Sequence, residues 1–311
     1  MCTSLILAAG DTYAGRSLDL DRDFGQRVVI APRSFPFRFR RLPDLERHQA
    51  VIGMAAVAEG VPLFAEGVNE AGVYIAGLNF PRSARYPAGE GEALAPWELI
   101  PWLLGQCRSA GEAAEKLRAM PLMDEPFRPG MPAAPLHWHI ADRAGAFVAE
   151  PTGEGVRVYA DPVGVLTNEP PFPFHLANLS QYLGLSAAQP RGHASAPELA
   201  PFGQGMGAVG LPGDWSPASR YVRAAFCLRN SVCPPEEGPA TAQFFHLLDA
   251  VSMPRGAVRT EEGGWDITRY ACCINTRTGS YHYKTYDRPA PAAVELTEER
   301  REGERLLEFP L

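Results

Sequence analysis

The chain has 311 residues, a net charge of −7, and 46% hydrophobic against 21% charged residues. That balance belongs to a globular chain able to bury a large core and excludes disorder as its main state. The acidic charge removes the basic face that a nucleic acid or an anionic membrane would want. Thirty glycines and thirty prolines exceed the usual share and predict many turns and ordered loops.

The first eighty residues read as strands. Residues 3–9 and 13–18 flank Gly10-Asp11 and predict a hairpin. Strands at 26–31, 51–57, 63–68 and 73–77 follow, with a turn at 69–72. Helices come next: 96–106, which Pro101 would kink or split, and 109–120, where Ser109 and Glu112 have capping-box spacing. Residues 121–135 are Pro-rich and loop-like. Strands resume at 136–141, 145–150, 155–159 and 164–167. After an irregular stretch over 184–216, Ser216 as N-cap and Pro217 as first residue open a helix to about residue 230. A helix at 241–251 and a strand pair at 267–275 and 281–286 close the pattern. No repeat or linker divides the chain, so residues 1–311 read as one layered α+β domain.

The apolar start lacks a basic n-region, and its core over 5–9 is too short for a signal peptide. The longest uncharged run, 170–190, contains four prolines and cannot span a bilayer. A soluble cytoplasmic protein is expected.

Six cysteines, none with CxxC spacing, argue against a disulfide scaffold or a zinc site. Cys272 and Cys273 would point to opposite faces of a strand as core thiols. The Gly205–Gly210 stretch matches GxGxxG, but prolines crowd both sides and no strand–helix frame surrounds it, so it reads as a structural loop. His137 and His139 share one face of a strand, with no third ligand nearby; a hydrogen-bonded structural role is expected.

Cys2 is the sharp feature. A free thiol has a pKa near 8.5, so little thiolate exists at neutral pH. An α-amine, at about 7.7–8, accepts a proton there. If Met1 is removed, Cys2 carries nucleophile and base in one residue. A hairpin would bring Arg16 and Asp19 back toward it, Arg16 to favour thiolate and Asp19 to hold the amine. Strict alternation puts those two on opposite faces, so a bulge or a strand end is needed for both to reach Cys2. Arg220 falls in the first turn of its helix, where a cation opposes the dipole and hints at another use. Asn168 ends a strand just before Glu169-Pro170-Pro171.

These residues sit in a set of motifs: MCTS at the start, GRSLD over 15–19, AGLNFP over 76–81, LHW over 136–138, VLTN over 165–168 with a proline after it, and GLPGDWSPASR over 210–220. Together they resemble the choloylglycine hydrolase family, which holds bile salt hydrolases and penicillin V acylases. The resemblance runs in order from residue 2 to about residue 286. It implies an N-terminal-nucleophile αββα fold, with two stacked antiparallel sheets between helical layers. It also implies Met removal without a long propeptide, and homotetramers. Residue by residue, Cys2 matches the nucleophile. Arg16 and Asp19 match the groups that position it and its amine. Asn168 matches an oxyanion-binding Asn, and Arg220 an Arg near the nucleophile. Asn79 matches a position that is Asn in bile salt hydrolases and Tyr in typical penicillin V acylases.

The implied chemistry is amide hydrolysis through a thioester, with no metal or organic cofactor. The expected partner is a small amide substrate with an apolar acyl group. By the same resemblance, Leu18, Leu20, Ala58, Leu63, Phe64, Ala65 and Leu136 frame its pocket. Asn79 tips the substrate toward conjugated bile salts; penicillin V and N-acyl homoserine lactones are the rivals. A non-catalytic binding protein on the same fold and a papain-like thiol hydrolase are alternatives of other classes.

Overall fold

The computed structural model describes residues 1–87, 90–191 and 199–311. Residues 192–198 of the expected irregular stretch lie outside the described residues. Strands β1 (Cys2–Ala9) and β2 (Asp11–Leu20) form the expected hairpin, with Gly10 turning at a φ of 73°. Strands β3 (Gln26–Ala31), β4 (Val51–Ala58), β5 (Val61–Asn69) and β6 (Tyr74–Asn79) follow. Helices α1 (Leu99–Gln106) and α2 (Ala110–Ala119) precede β7 (Leu136–Asp142), β8 (Gly145–Thr152), β9 (Gly155–Ala160) and the short β10 (Val165–Leu166). Then come α3 (Phe172–Leu179), α4 (Pro217–Arg229) and α5 (Glu237–Asp249). The C-terminal part holds β11 (Val258–Arg259), β12 (Trp265–Asn275), β13 (Ser280–Thr285), β14 (Ala292–Glu295), α6 (Glu298–Arg301) and β15 (Leu307–Pro310).

Two antiparallel sheets stack between helices, as the αββα expectation required. One runs β10-β1-β2-β12-β13-β14, with β11 on β12; the other runs β15-β3-β4-β5-β6-β7-β8-β9. Buried Met54, Val68, Tyr74 and Leu78 of the second sheet share a core with Cys2, Leu18, Tyr270 and Tyr281 of the first. Phe244, Leu248 and Tyr221 of α5 and α4 join that core from the outer face of the first sheet. A separate core under α1 and α2 takes Leu99, Leu103, Ala113 and Leu117 against Val29, Val51, Ile75 and Ile140. Strand alternation explains the split: neighbouring residues such as Met54 and Ala55 fall into different cores.

Pro101 does not kink its helix. The helix begins at Leu99, which places Pro101 in the first turn, where no intrahelical acceptor waits for an N–H. Pro239 likewise sits in the first turn of α5, so that helix starts four residues before the expected 241. At α2, Ser109 accepts from Glu112 N–H at 3.1 Å, but the Glu112 carboxylate turns to Arg108 N at 2.8 Å, one residue earlier than a capping box needs. Helix α3 occupies part of the uncharged 170–190 run, where the sequence pattern predicts no helix. Gly205 and Gly210 take positive φ, and a Cβ at Gly207 would meet Ala188 O at 2.0 Å, so these glycines serve their own loop.

Candidate active site

Cys2 opens β1 and lies opposite Leu18 in the hairpin register, midway between Ser17 and Asp19. It is buried. The strand end answers the alternation problem. Arg16 leaves β2 on the face between the sheets, where its Nη1 donates to Gly77 O and its Nε to Ser17 O at 3.3 Å. Asp19 leaves on the other face, where Thr268 Oγ1 donates to its Oδ1 at 2.6 Å. A register shift does occur, but on the partner strand β12, between Thr268 and Tyr270. Strand β2 itself stays regular through Arg16 and Asp19.

Burial works against the Arg16 charge, but Cys2, Tyr270, Glu66 and Tyr74 outweigh it and hold the guanidinium above its ordinary value. Among the described residues, Arg16 Nη2 and Asp19 Oδ2 are buried polar atoms without a partner. Buried orphans of this kind carry a cost that a functional site can explain.

Asn168 follows β10 and joins the other groups. Its Oδ1 accepts from Cys2 N–H at 3.0 Å and from Arg220 Nη2 at 2.6 Å. Its Nδ2 donates to Asn79 O at 2.8 Å, at the end of β6. One Nδ2 hydrogen remains to be given. Arg220, fully buried on α4, donates through Nη1 to Cys2 O and to Thr3 Oγ1 at 2.7 Å, and through Nε to Trp215 O at 3.0 Å. The cation that opposes the helix dipole therefore clamps the start of β1. Burial lowers its pKa, and Asp19 and Cys2 oppose that fall. The side-chain amide of Asn79 has no hydrogen-bond partner among the described residues.

Met1 still precedes Cys2 here. Its carbonyl accepts from Asp19 N at 2.8 Å, its amine donates to Asp19 O, and Asp266 Oδ2 lies 3.9 Å from that amine. While this peptide bond stands, Cys2 N has no basic lone pair.

Three histidines brace the site. His139 bridges Ser4 Oγ at 2.9 Å and Asp161 Oδ2 at 3.0 Å. His137 reaches Thr167 O at 3.1 Å, and His175 reaches Asn168 O at 3.0 Å. The 137/139 pair thus has the expected structural role, each ring turned to its own partners. Ser4, His139 and Asp161 are in triad-like contact but wholly buried, closed to any substrate.

The expected pocket residues divide. Leu18, Leu20 and Ala65 belong to the core between the sheets, on the side of Cys2. Ala58 and Leu63 sit half-buried along the β4–β5 hairpin. Phe64 departs from expectation: it packs into the core under α1 and α2. A bulge is the reason. Ala55 pairs with Phe64 and Met54 with Glu66, so Ala65 is the extra residue and Phe64 turns outward. Leu136, opposite Asn79 in register, also packs half-buried against that outer core.

The model of linear amide C–N hydrolases of the choloylglycine hydrolase family matches residues 2–307. The chain belongs to the choloylglycine hydrolase family. As a member it is an amide-cleaving hydrolase. It is 38% identical to a bile salt hydrolase/transferase of Lactiplantibacillus plantarum, covering 100% of this chain and 97% of that one. It is 34% identical to a conjugated bile acid hydrolase of Lactobacillus gasseri, covering 99% and 100%. A conjugated bile acid hydrolase structure from Clostridium perfringens superposes with a TM-score of 0.92 at 35% identity, covering 100% and 97%. The penicillin V acylase of Agrobacterium tumefaciens shares the fold, with a TM-score of 0.78 at 20% identity over 99% and 90%. No helix among the described residues is long and apolar enough to cross a membrane.

Proposed function

We propose that this hydrolase cleaves conjugated bile salts to a bile acid and glycine or taurine, with Cys2 as nucleophile. The observation that carries the reading is the junction at Cys2. Its N–H meets Asn168, its carbonyl meets Arg220, and the Arg16 charge lies behind it.

Removal of Met1 turns Cys2 N into an amine, which Asn168 Oδ1 already meets; we assign the unpartnered Asp19 Oδ2 as a second acceptor for it. The amine takes the thiol proton, and the sulfur attacks the amide carbonyl. The free hydrogen on Asn168 Nδ2 and the Asn79 amide receive the oxyanion, each donor worth about 10²–10³ in rate. The Cys2 ammonium then protonates the leaving nitrogen, and the C–N bond breaks to leave a thioester. The same amine draws a proton from water, whose oxygen attacks the thioester, releasing the carboxylic acid and restoring the thiol. Each step uses this chain's own groups.

Asn79 and the likeness to the bile salt hydrolases of two lactic bacteria favour bile salts over penicillin V or acyl homoserine lactones. Comparison of kcat/KM for glycocholate, penicillin V and a long-chain acyl lactone tests this. Glycocholate is expected to exceed both by about tenfold or more, a difference of roughly 1.4 kcal/mol in transition-state binding. Preference for either rival would reassign the substrate. We also read the protein as a cytoplasmic homotetramer. Leu183, Leu199, Phe202 and Val209 are large, exposed and apolar, as a covered surface requires. Light scattering in solution checks the assembly.

A further inference from the structure

Behind the site lies a buried acid that the mechanism does not use. Glu66 of β5 is fully buried between the sheets. Tyr270 of β12 donates to its Oε2 at 2.7 Å, and Tyr281 of β13 to its Oε1 at 2.6 Å. The Cys272 thiol lies 3.6 Å from Oε1, and Arg16 Nη1 lies 3.8 Å from Oε2. Nothing in the amide chemistry requires an acid here, and an apolar residue would avoid its desolvation. The bulge at Ala65 turns Glu66 inward, whereas regular alternation would put it with Phe64 on the helix side.

We propose that Glu66 is a positioning residue whose carboxylate partly neutralises Arg16 and so sets how strongly Arg16 favours the Cys2 thiolate. This rests on Cys2 being the nucleophile. Both carboxylate oxygens receive a phenolic O–H, the arrangement that suits an ionised acid. Burial pushes the Glu66 carboxyl up, and Arg16, Tyr281 and Tyr270 pull against it. Tyr74 of β6 and Cys272 of β12 complete the titratable groups around the pair. Cys2 itself is faced by Arg16 of β2 and by Arg220 of α4, and Asp19 acts on Arg220 from the other face of β2. Those charges are unchanged in a Glu66 variant, so Glu66 can be read alone.

The consequence has a sign. Without the carboxylate, the Arg16 charge acts on the thiol unopposed, and the thiol ionises at lower pH. A variant that merely displaced Arg16 would move the thiol the other way. The test is the pH dependence of iodoacetamide alkylation at Cys2 in the demethionylated protein, read by mass on the N-terminal peptide. Glu66→Gln is expected to move the midpoint down by about one pH unit, while Glu66→Asp, which keeps the charge, restores it. If Glu66→Gln does not fold, Tyr270→Phe/Tyr281→Phe replaces it: with both donors gone the buried carboxyl takes up a proton, and the same downward shift is expected. An unchanged or raised midpoint in either folded variant overturns the proposal. A Cys2→Ala protein that retained amidase activity would instead remove the nucleophile assignment, a separate outcome.

Discussion

Asn168 is held from several directions. Arg220 and Cys2 N–H meet its amide oxygen, Asn79 O takes one amide hydrogen, and His175 meets its main-chain carbonyl. The last brace carries a pH dependence. Burial holds the imidazole below its ordinary value, and the contact with Asn168 pulls against that fall without cancelling it. In the unfolded chain it titrates near 6.5. Below that value the unfolded state binds a proton that the folded state resists, so the contribution is complete above about pH 6.5 and is lost as pH falls through the lower folded value. Urea unfolding at pH 7.5 and pH 5 is expected to show a larger loss for the wild type than for His175→Gln; equal losses would contradict this. Cys2, Arg16, Asp19, Asn79, Asn168 and Arg220 were legible because each stands in a motif or breaks a local rule. Glu66 and Thr268 were not. The hydroxyl–carboxylate bonds that place them, Tyr270 and Tyr281 to Glu66 and Thr268 to Asp19, span more than 200 residues, and a Glu in a strand carries no spacing signal that tells a buried acid from an exposed one.

At the scale of elements, the site stands on two anchors: the β1–β2 hairpin and the first turn of α4. The hairpin was readable from Gly10-Asp11 and the flanking apolar runs. So was the start of α4, where Ser216 Oγ accepts from Ser219 N–H and Asp214 accepts from Ser219 Oγ at 2.6 Å. Loss of the cap in Ser216→Ala is expected to cost about 1 kcal/mol in denaturant unfolding. Because that turn carries Arg220, the variant should also lose amidase activity at temperatures where it stays folded. Stability lost with activity intact would separate the cap from the clamp. The elements missed have physical reasons. Helix α3 is short and lies among prolines that read as breakers, though Pro171 and Pro173 occupy its start, where proline is tolerated. Strands β14 and β15 have four residues each and owe their form to pairing with β13 and β3, partners that no local pattern reveals. The bulges at Ala65 and between Thr268 and Tyr270 are likewise tertiary features.

For the whole molecule, the layered αββα arrangement explains why so many charged groups can lie inside it. Stacked sheets leave a polar seam, with Arg16 and Glu66 within it, while Arg220 and Asp19 face the α4 side of the first sheet. The seam ends at Cys2, and the chain's own start forms part of the site. This gives the account its central claim: the amine freed by loss of Met1 and the thiol beside it perform the cleavage together. The direct test is rapid acid quench of the demethionylated protein during glycocholate turnover, followed by intact-mass and peptide analysis. The account predicts a cholyl adduct, the bile acid less one water, on the peptide that begins at Cys2. An adduct on another residue, or turnover by protein that retains Met1, would contradict it.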